Sequence, residues 1–138
     1  MGAAMAFSAA DTLISYFEQS DFKVSDFDYI ITGDLGYTGS SILEEILSDK
    51  LPMASMRHID CGTMLYNRKK QDIHSGASGC GTSASVLSCH FLPLLSDGKI
   101  KRILFLSTGA LMSPTSVLQG ENILGIAPLR RGFTLPST

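Results

Sequence analysis

The feature that most constrains this chain is the run Ile103-Leu104-Phe105-Leu106, four large apolar side chains in succession. Successive side chains of a strand point to opposite faces of its sheet, so a strand of this composition needs cover on both faces. Parallel or mixed sheets flanked by helices provide that cover. A second apolar run, 27–32, stops at Gly33 and predicts another inner strand. The predicted fold class is therefore α/β.

Amphipathic patterning predicts the helices that cover this sheet. Between residues 3 and 18, apolar residues recur at the spacing of one helix face. The residues expected to face the sheet there are Phe7, Ala10, Ile14 and Phe17. Ser41 and Glu44 have capping-box spacing, so a second helix is expected to begin at Ser41. A third helix is expected to kink or end at Pro93, whose ring removes a hydrogen-bond donor.

The charge and the cysteine content exclude several classes of protein. The 138 residues carry 11 Lys and Arg against 13 Asp and Glu, a formal net charge of -2. A chain with this charge is not expected to have the basic surface of a general nucleic-acid binder. No apolar run approaches the roughly 20 residues of a membrane-spanning helix, so any membrane association is expected to be peripheral. The three cysteines and three histidines have no metal-ligand spacing. Neither a metal nor another cofactor is predicted.

The segment 74–85 is the most informative loop of the sequence. Its glycines and small residues precede a predicted helix, and exposed backbone amides at a helix start favour an anion or a carbonyl oxygen. His74 offers a hydrogen-bond donor, acid or base, and Cys80 lies close to the helix start. Two alternatives stay open. One is that the glycines serve only to let a helix pack closely on a strand. The other is that His74 is an ordinary surface residue.

Two other segments follow the predicted strands, where open α/β sheets form their binding crevices. Asp34 comes just after the first strand, and 107–114 follows the second with hydroxyls and backbone amides. The alternatives are that Asp34 caps a turn or the following helix, and that 107–114 is a plain strand exit. His58, beside Arg57, is interpreted as a solvated surface residue, with an anion contact as the alternative, and His90 is interpreted as structural. Residue chemistry thus indicates a small-molecule crevice.

Five motifs occur together in an order that is typical of one known family. They are MGAAMA (1–6), TGDLG (32–36), DCG (60–62), HSGASGCG (74–81) and TGALMSPTS (108–116). Together they resemble the C-terminal part of the stage V sporulation protein AD family, from residue 1 to about residue 127. The resemblance implies a thiolase-like half-domain, in which a mixed, mostly parallel sheet is flanked by helices.

The same resemblance implies a binding role rather than an enzymatic one. When the C-terminal half of a condensing enzyme or thiolase is aligned with this chain, its three catalytic positions fall on Gly33, Cys80 and Ser107. None of these three residues is of the catalytic type found at that position in those enzymes. The nucleophilic cysteine of those enzymes belongs to the N-terminal half, so no catalytic residue is expected here. The alternative is one half of a ketoacyl-synthase-like or thiolase-like acyltransferase that needs a separately encoded N-terminal half.

The family resemblance also implies a ligand, dipicolinic acid, which spore-formers take into the spore and release at germination. Its two carboxylates need hydrogen-bond donors. Its pyridine ring needs an apolar wall, for which Leu111 and Met112 are candidates. The predicted ligand-binding residues are Asp34, His74, Ser78, Cys80, Thr108 and Met112.

The partners and location implied by the resemblance follow from this ligand. Dipicolinic acid is expected free or as its calcium chelate. Other proteins of the stage V sporulation A operon are expected partners, with a homodimer for the intact protein and no nucleic acid. The expected place is the spore inner membrane, peripherally, or otherwise the cytoplasm.

The two ends of the sequence indicate a partial chain. Residue 1 matches an internal methionine of the family pattern, so the chain is expected to be a gene fragment, with a nonfunctional remnant as the other interpretation. The chain is expected to divide into a half-domain over 1–127 and a divergent or frameshifted tail over 128–138. Two prolines and two arginines in this tail suit a buried strand poorly.

Overall fold

Helices and strands alternate along the computed structural model, which describes residues 1–52, 56–76, 79–111 and 113–133. The α-helices are α1 (Gly2–Gln19), α2 (Gly36–Ser48), α3 (Cys61–Met64), α4 (Thr82–Val86), α5 (Leu92–Ser96) and α6 (Pro114–Leu118). The strands are β1 (Tyr29–Thr32), β2 (His58–Asp60), β3 (Arg102–Leu106), β4 (Gly109–Leu111), β5 (Leu124–Ile126) and β6 (Leu129–Phe133). A 3-10 turn covers Val24–Asp26, and a π-helical turn, Leu87–Phe91, joins α4 to α5.

The main sheet has the strand order β2-β1-β3-β6. β1 pairs in parallel with both neighbours, so that Ile31 lies opposite Ile59 on one side and Phe105 on the other. β6 pairs antiparallel with β3, while β4 and β5 form a separate antiparallel pair. This mixed, mostly parallel sheet with flanking helices confirms the predicted fold class and agrees with a thiolase-like half-domain.

Side chains of the central strands alternate between two buried clusters. Ile30 and Leu104 pack on one side with residues of α1 and α2. Ile31 and Phe105 pack on the other side with Phe91 of the π-helical turn. Because helices cover both faces, β3 keeps an apolar residue at each of its last four positions.

α1 buries a stripe of mostly small residues, which includes Ala10 of the predicted face. Its buried residues are Met5, Ala6, Ala9, Ala10 and Leu13. The prediction that Phe7 faces the sheet is wrong, since Phe7 is 59% exposed, whereas Ile14 and Phe17 are partly buried. α1 crosses α2 so closely that a Cβ atom at Gly39 would lie 2.8 Å from the carbonyl oxygen of Gly2. Only small side chains permit this approach.

α2 begins at Gly36, earlier than the sequence pattern predicts. Gly36 has a φ angle of +68°, which glycine adopts without strain. Ser41 lies inside the helix, where its hydroxyl donates to the carbonyl oxygen of Tyr37 at 3.0 Å. The capping-box prediction is therefore wrong. The start of α2 is capped instead by Asp60, a residue of β2.

The helical stretch 82–96 passes Pro93 and ends only at Ser96. The π-helical turn lies directly before Pro93. A proline cannot donate to the carbonyl four residues earlier, here that of Cys89, and its ring crowds that turn. The wider π-helical turn accommodates this mismatch. At Pro93 the helix therefore changes its pitch and does not end.

The segment after residue 127 contributes an edge strand to the main sheet. β6 lies beside β3, and Arg130 and Arg131 are exposed there. Charged residues are common on edge strands because they oppose pairing with another chain. The assignment of 128–138 as a divergent or frameshifted tail stays a prediction, and 134–138 lies outside the described residues.

Replacing Leu104 by alanine tests the central place of β3. Leu104 is fully buried, so Leu104→Ala should lower the free energy of unfolding by about 2–5 kcal/mol. The matched control is Leu118→Ala, because Leu118 is 87% exposed and its loss should change stability by less than about 0.5 kcal/mol. Urea unfolding followed by circular dichroism measures both. Equal losses in the two variants would contradict the described core.

Candidate functional site

A cleft of about 920 Å³ opens at the carboxyl ends of β1 and β3. Four of the predicted ligand-binding residues line it, namely Asp34, His74, Cys80 and Thr108. Ser78 and Met112 lie outside the described residues. Leu111, the other candidate for an apolar wall, is 62% exposed and does not line the cleft, whereas Met5, Ile73 and Ala110 do. The fold therefore brings these four residues together, and their role as ligand contacts stays a prediction.

The loop that carries His74 is held against the start of α2. The backbone N–H of Tyr37 donates to the carbonyl oxygen of Ser75 at 2.7 Å. A Cβ atom at Gly36 would collide with that same carbonyl oxygen. Gly76, with a φ angle of +115°, allows the loop to turn back beside Gly62. These contacts place His74 at the cleft, although it is distant from β1 in the sequence.

Asp60 organises this end of the sheet. Asp60 is 3% exposed, and its carboxylate accepts four hydrogen bonds. The donors are Thr32 Oγ1 at 2.8 Å, Leu35 N at 2.7 Å, Gly36 N at 3.0 Å and Thr63 N at 3.2 Å. One side chain thus caps the starts of α2 and α3, whose unpaired amides attract an anion. In the sequence, Asp60 stands out only as part of the DCG motif, because most of its donors belong to a distant segment.

His58 is not the solvated residue that the sequence indicated. Its side chain is 4% exposed, with Nε2 at 3.0 Å from Thr32 Oγ1 and Nδ1 at 3.0 Å from Glu44 Oε1. Thr32 donates its hydroxyl proton to Asp60, so its oxygen is free to accept a hydrogen bond from Nε2. Nδ1 lies against the carboxylate of Glu44 on α2. This geometry connects His58 to Asp60 through the hydroxyl of Thr32.

Asp34 lies beside Asp60 but receives few donors. Its backbone N–H donates to Thr108 Oγ1 at 2.8 Å, which joins the ends of β1 and β3. The Thr82 hydroxyl binds its carboxylate, whereas Oδ1 is buried and has no hydrogen-bond partner in the described part of the chain. Burial, and secondly the charge of Asp60, raise the pKa of Asp34 to about 6, against the opposing effect of Thr82. The helix cap considered for Asp34 is supplied by Asp60.

The three cysteines lie in different surroundings. Cys61 is buried, and burial raises the pKa of its thiol to about 12, with further contributions from Asp60 and Asp34. This thiol stays protonated and is a poor nucleophile. Cys80 and Cys89 are exposed, and Cys80 lines the cleft.

No group of three or more His, Cys, Asp or Glu residues in the described ranges is arranged to hold a metal ion. Within the same ranges, no helix is both long enough and apolar enough to cross a membrane.

Asp60→Asn should destabilise the protein by about 2–3 kcal/mol, because an amide turns one acceptor oxygen into a donor that faces other donors. Chemical denaturation measures the loss. The matched control is Asp11→Asn, since Asp11 is exposed on α1 and its change should cost less than about 0.5 kcal/mol. A loss for Asp60→Asn no greater than for the control would show that the four hydrogen bonds are dispensable.

Asp34→Asn should raise the melting temperature above pH 6 and leave it nearly unchanged near pH 3. The pKa of Asp34 is raised in the folded state from 3.8 to about 6, so the folded state binds this proton more tightly than the unfolded chain. Its contribution to stability is present at low pH and is lost as the pH rises through this window. Asparagine does not titrate, so the difference between variant and wild type should grow from pH 4 to 6 and then level off. Thermal unfolding at several pH values measures it, and a pH-independent difference would contradict the assignment.

Comparisons with known proteins cover nearly the whole chain. The family model described as Stage V sporulation protein AD matches residues 1–129. The chain is 41% identical over 127 residues to Stage V sporulation protein AD of Bacillus subtilis (strain 168). The alignment covers 92% of this chain and 37% of that relative, so the chain spans little more than a third of the relative's length. The chain belongs to the stage V sporulation protein AD family.

Proposed function

We propose that the cleft binds dipicolinic acid during spore formation, in a non-catalytic role that supports its uptake into the spore and its release at germination. The observation that carries this proposal is the convergence of Asp34, His74, Cys80 and Thr108 on one cleft. These residues come from three separate segments, and the volume of about 920 Å³ lies in the range of small-molecule sites.

The chemistry of the cleft suits a small planar molecule with carboxylates. His74 and the hydroxyl of Thr108 are side-chain donors, and Gly79 and Cys80 bring the backbone before α4 to the same wall. Thr108 accepts from the backbone of Asp34, so its own hydroxyl proton can point to a ligand. Met5 and Ile73 supply apolar surface for a ring.

The positions that match catalytic residues of the wider superfamily favour binding over acyl transfer. A Cβ atom at Gly33 would lie 2.9 Å from the backbone nitrogen of Thr108, so a histidine there would displace the segment that follows β3. Neither Gly33 nor Ser107 lines the cleft. Turnover of an acyl-coenzyme A by this chain with a separate half that bears a cysteine would favour the competing acyltransferase.

The proposal extends to the surroundings of the intact protein. It places the protein peripherally at the spore inner membrane, with other stage V sporulation A operon proteins, as a homodimer that handles dipicolinic acid free or as the calcium chelate. Exposed apolar residues around α6, β4 and β5 support an interaction surface. They are Leu111, Val117, Leu118, Leu124 and Ile126.

Calorimetric titration of dipicolinate into this chain, and into the full-length Bacillus subtilis relative, tests the proposal. The double variant His74→Ala/Cys80→Ala should weaken binding about 10-fold or more, the equivalent of one lost charge-assisted hydrogen bond. The relative is tested with the same changes at its matching positions.

The chain offers a matched control in Cys89→Ala/His90→Ala. Cys89 and His90 are exposed and lie outside the cleft, so this pair removes the same two residue types without touching the site. Its affinity should equal that of the wild type. Unchanged affinity in the His74→Ala/Cys80→Ala variant would sink the proposed site.

A further inference from the structure

Two neighbouring carboxylates at the cleft have unequal surroundings. Asp60 accepts four hydrogen bonds from N–H and O–H donors, and a proton on this group would oppose them. Asp34 has the Thr82 hydroxyl as a partner, but its buried Oδ1 has none among the described residues. Of the two groups, Asp34 is therefore the one that accepts a proton with little loss of hydrogen bonding.

The charged groups that line the cleft affect the protonation of Asp34. Asp34 and Asp72 line it, and none of its described lining side chains is a lysine or an arginine. An anionic ligand brought next to Asp34 repels its charge, and a like charge at short range stabilises the protonated form of a carboxyl group. Ligand and proton therefore favour each other's binding.

We propose that a carboxylate ligand binds in this cleft together with one proton, which Asp34 takes up from the solvent. The proposal rests on the proposed function of the cleft and adds a pH dependence to it. The ionised carboxylate of Asp34 and one solvent proton become a neutral carboxyl group, and no other bond changes. Asp60 keeps its four hydrogen bonds throughout.

The other titratable groups around Asp34 fit this assignment. Burial, with further contributions from the charges of Asp60 and Asp34, raises the pKa of Cys61 to about 12, so this thiol stays protonated. Burial and Asp60 already raise the pKa of Asp34 to about 6, so a further negative charge carries it toward neutral pH. The remaining titratable groups at the cleft are the exposed side chains of Tyr66, Asp72, His74 and Cys80 and the amino terminus at Met1.

Calorimetry of dipicolinate binding at pH 7.5 in phosphate, HEPES and Tris buffers counts the protons. The observed enthalpy, plotted against the ionisation enthalpy of the buffer, should have a positive slope that corresponds to uptake of a fraction of a proton, and at most one proton, per ligand. The dissociation constant should rise by up to about 10-fold per pH unit above pH 6 and should level off above the pKa of Asp34 in the complex, as linkage to one proton requires. Asp34→Asn should abolish both the slope and the pH dependence.

The control Asp72→Asn removes the same charge from an exposed position in the same cleft and should keep the proton uptake. Binding by the wild type without proton uptake would overturn this inference alone, as would an Asp34→Asn variant that still takes up a proton. An absence of binding at every pH from 5 to 8 would overturn the proposed function along with it.

Discussion

The buried carboxylate of Asp60 is the interaction on which the described site depends. It binds the hydroxyl of Thr32 at the end of β1, the amides of Leu35 and Gly36 at the start of α2, and the amide of Thr63 in α3. Desolvating a carboxylate is costly, and several directed donors offset that cost. Because the loop before α4 is in turn bound to the start of α2, the position of the cleft depends on this one side chain.

Two aspartates at the cleft differ in their hydrogen bonding. Asp34 and Asp60 are both aspartates at the same edge of the sheet, yet one has its oxygens saturated by donors and the other keeps a buried oxygen without a partner in the described ranges. The difference arises from the backbone: the amides that begin α2 point to Asp60 and away from Asp34. The side chain of His58 lies on the far side of Thr32 and belongs to the same chain of hydrogen bonds as Asp60.

Much of the fold could be predicted from the sequence, since strand burial and helix periodicity are local patterns. The run 103–106 indicated a sheet covered on both faces, and β3 is buried in that way. The predictions for Phe7 and Ser41 failed because close packing of α1 on α2 and capping from β2 override local preference. Of the site residues, Asp34 and Thr108 were accessible to prediction, since both follow a strand where α/β sheets form crevices.

The sequence by itself determined the α/β class, the family and the segments that supply the cleft, because apolar patterning and motif order are written in consecutive residues. Only the tertiary structure decided that Asp60 is the cap, that His58 is buried and paired, and that Asp34 has an oxygen without a donor in the described part of the chain. Those properties depend on which atoms meet across the sheet, and the meeting groups belong to segments that lie far apart in the chain. Hydrogen bonding and desolvation at such contacts have no signature in the local sequence.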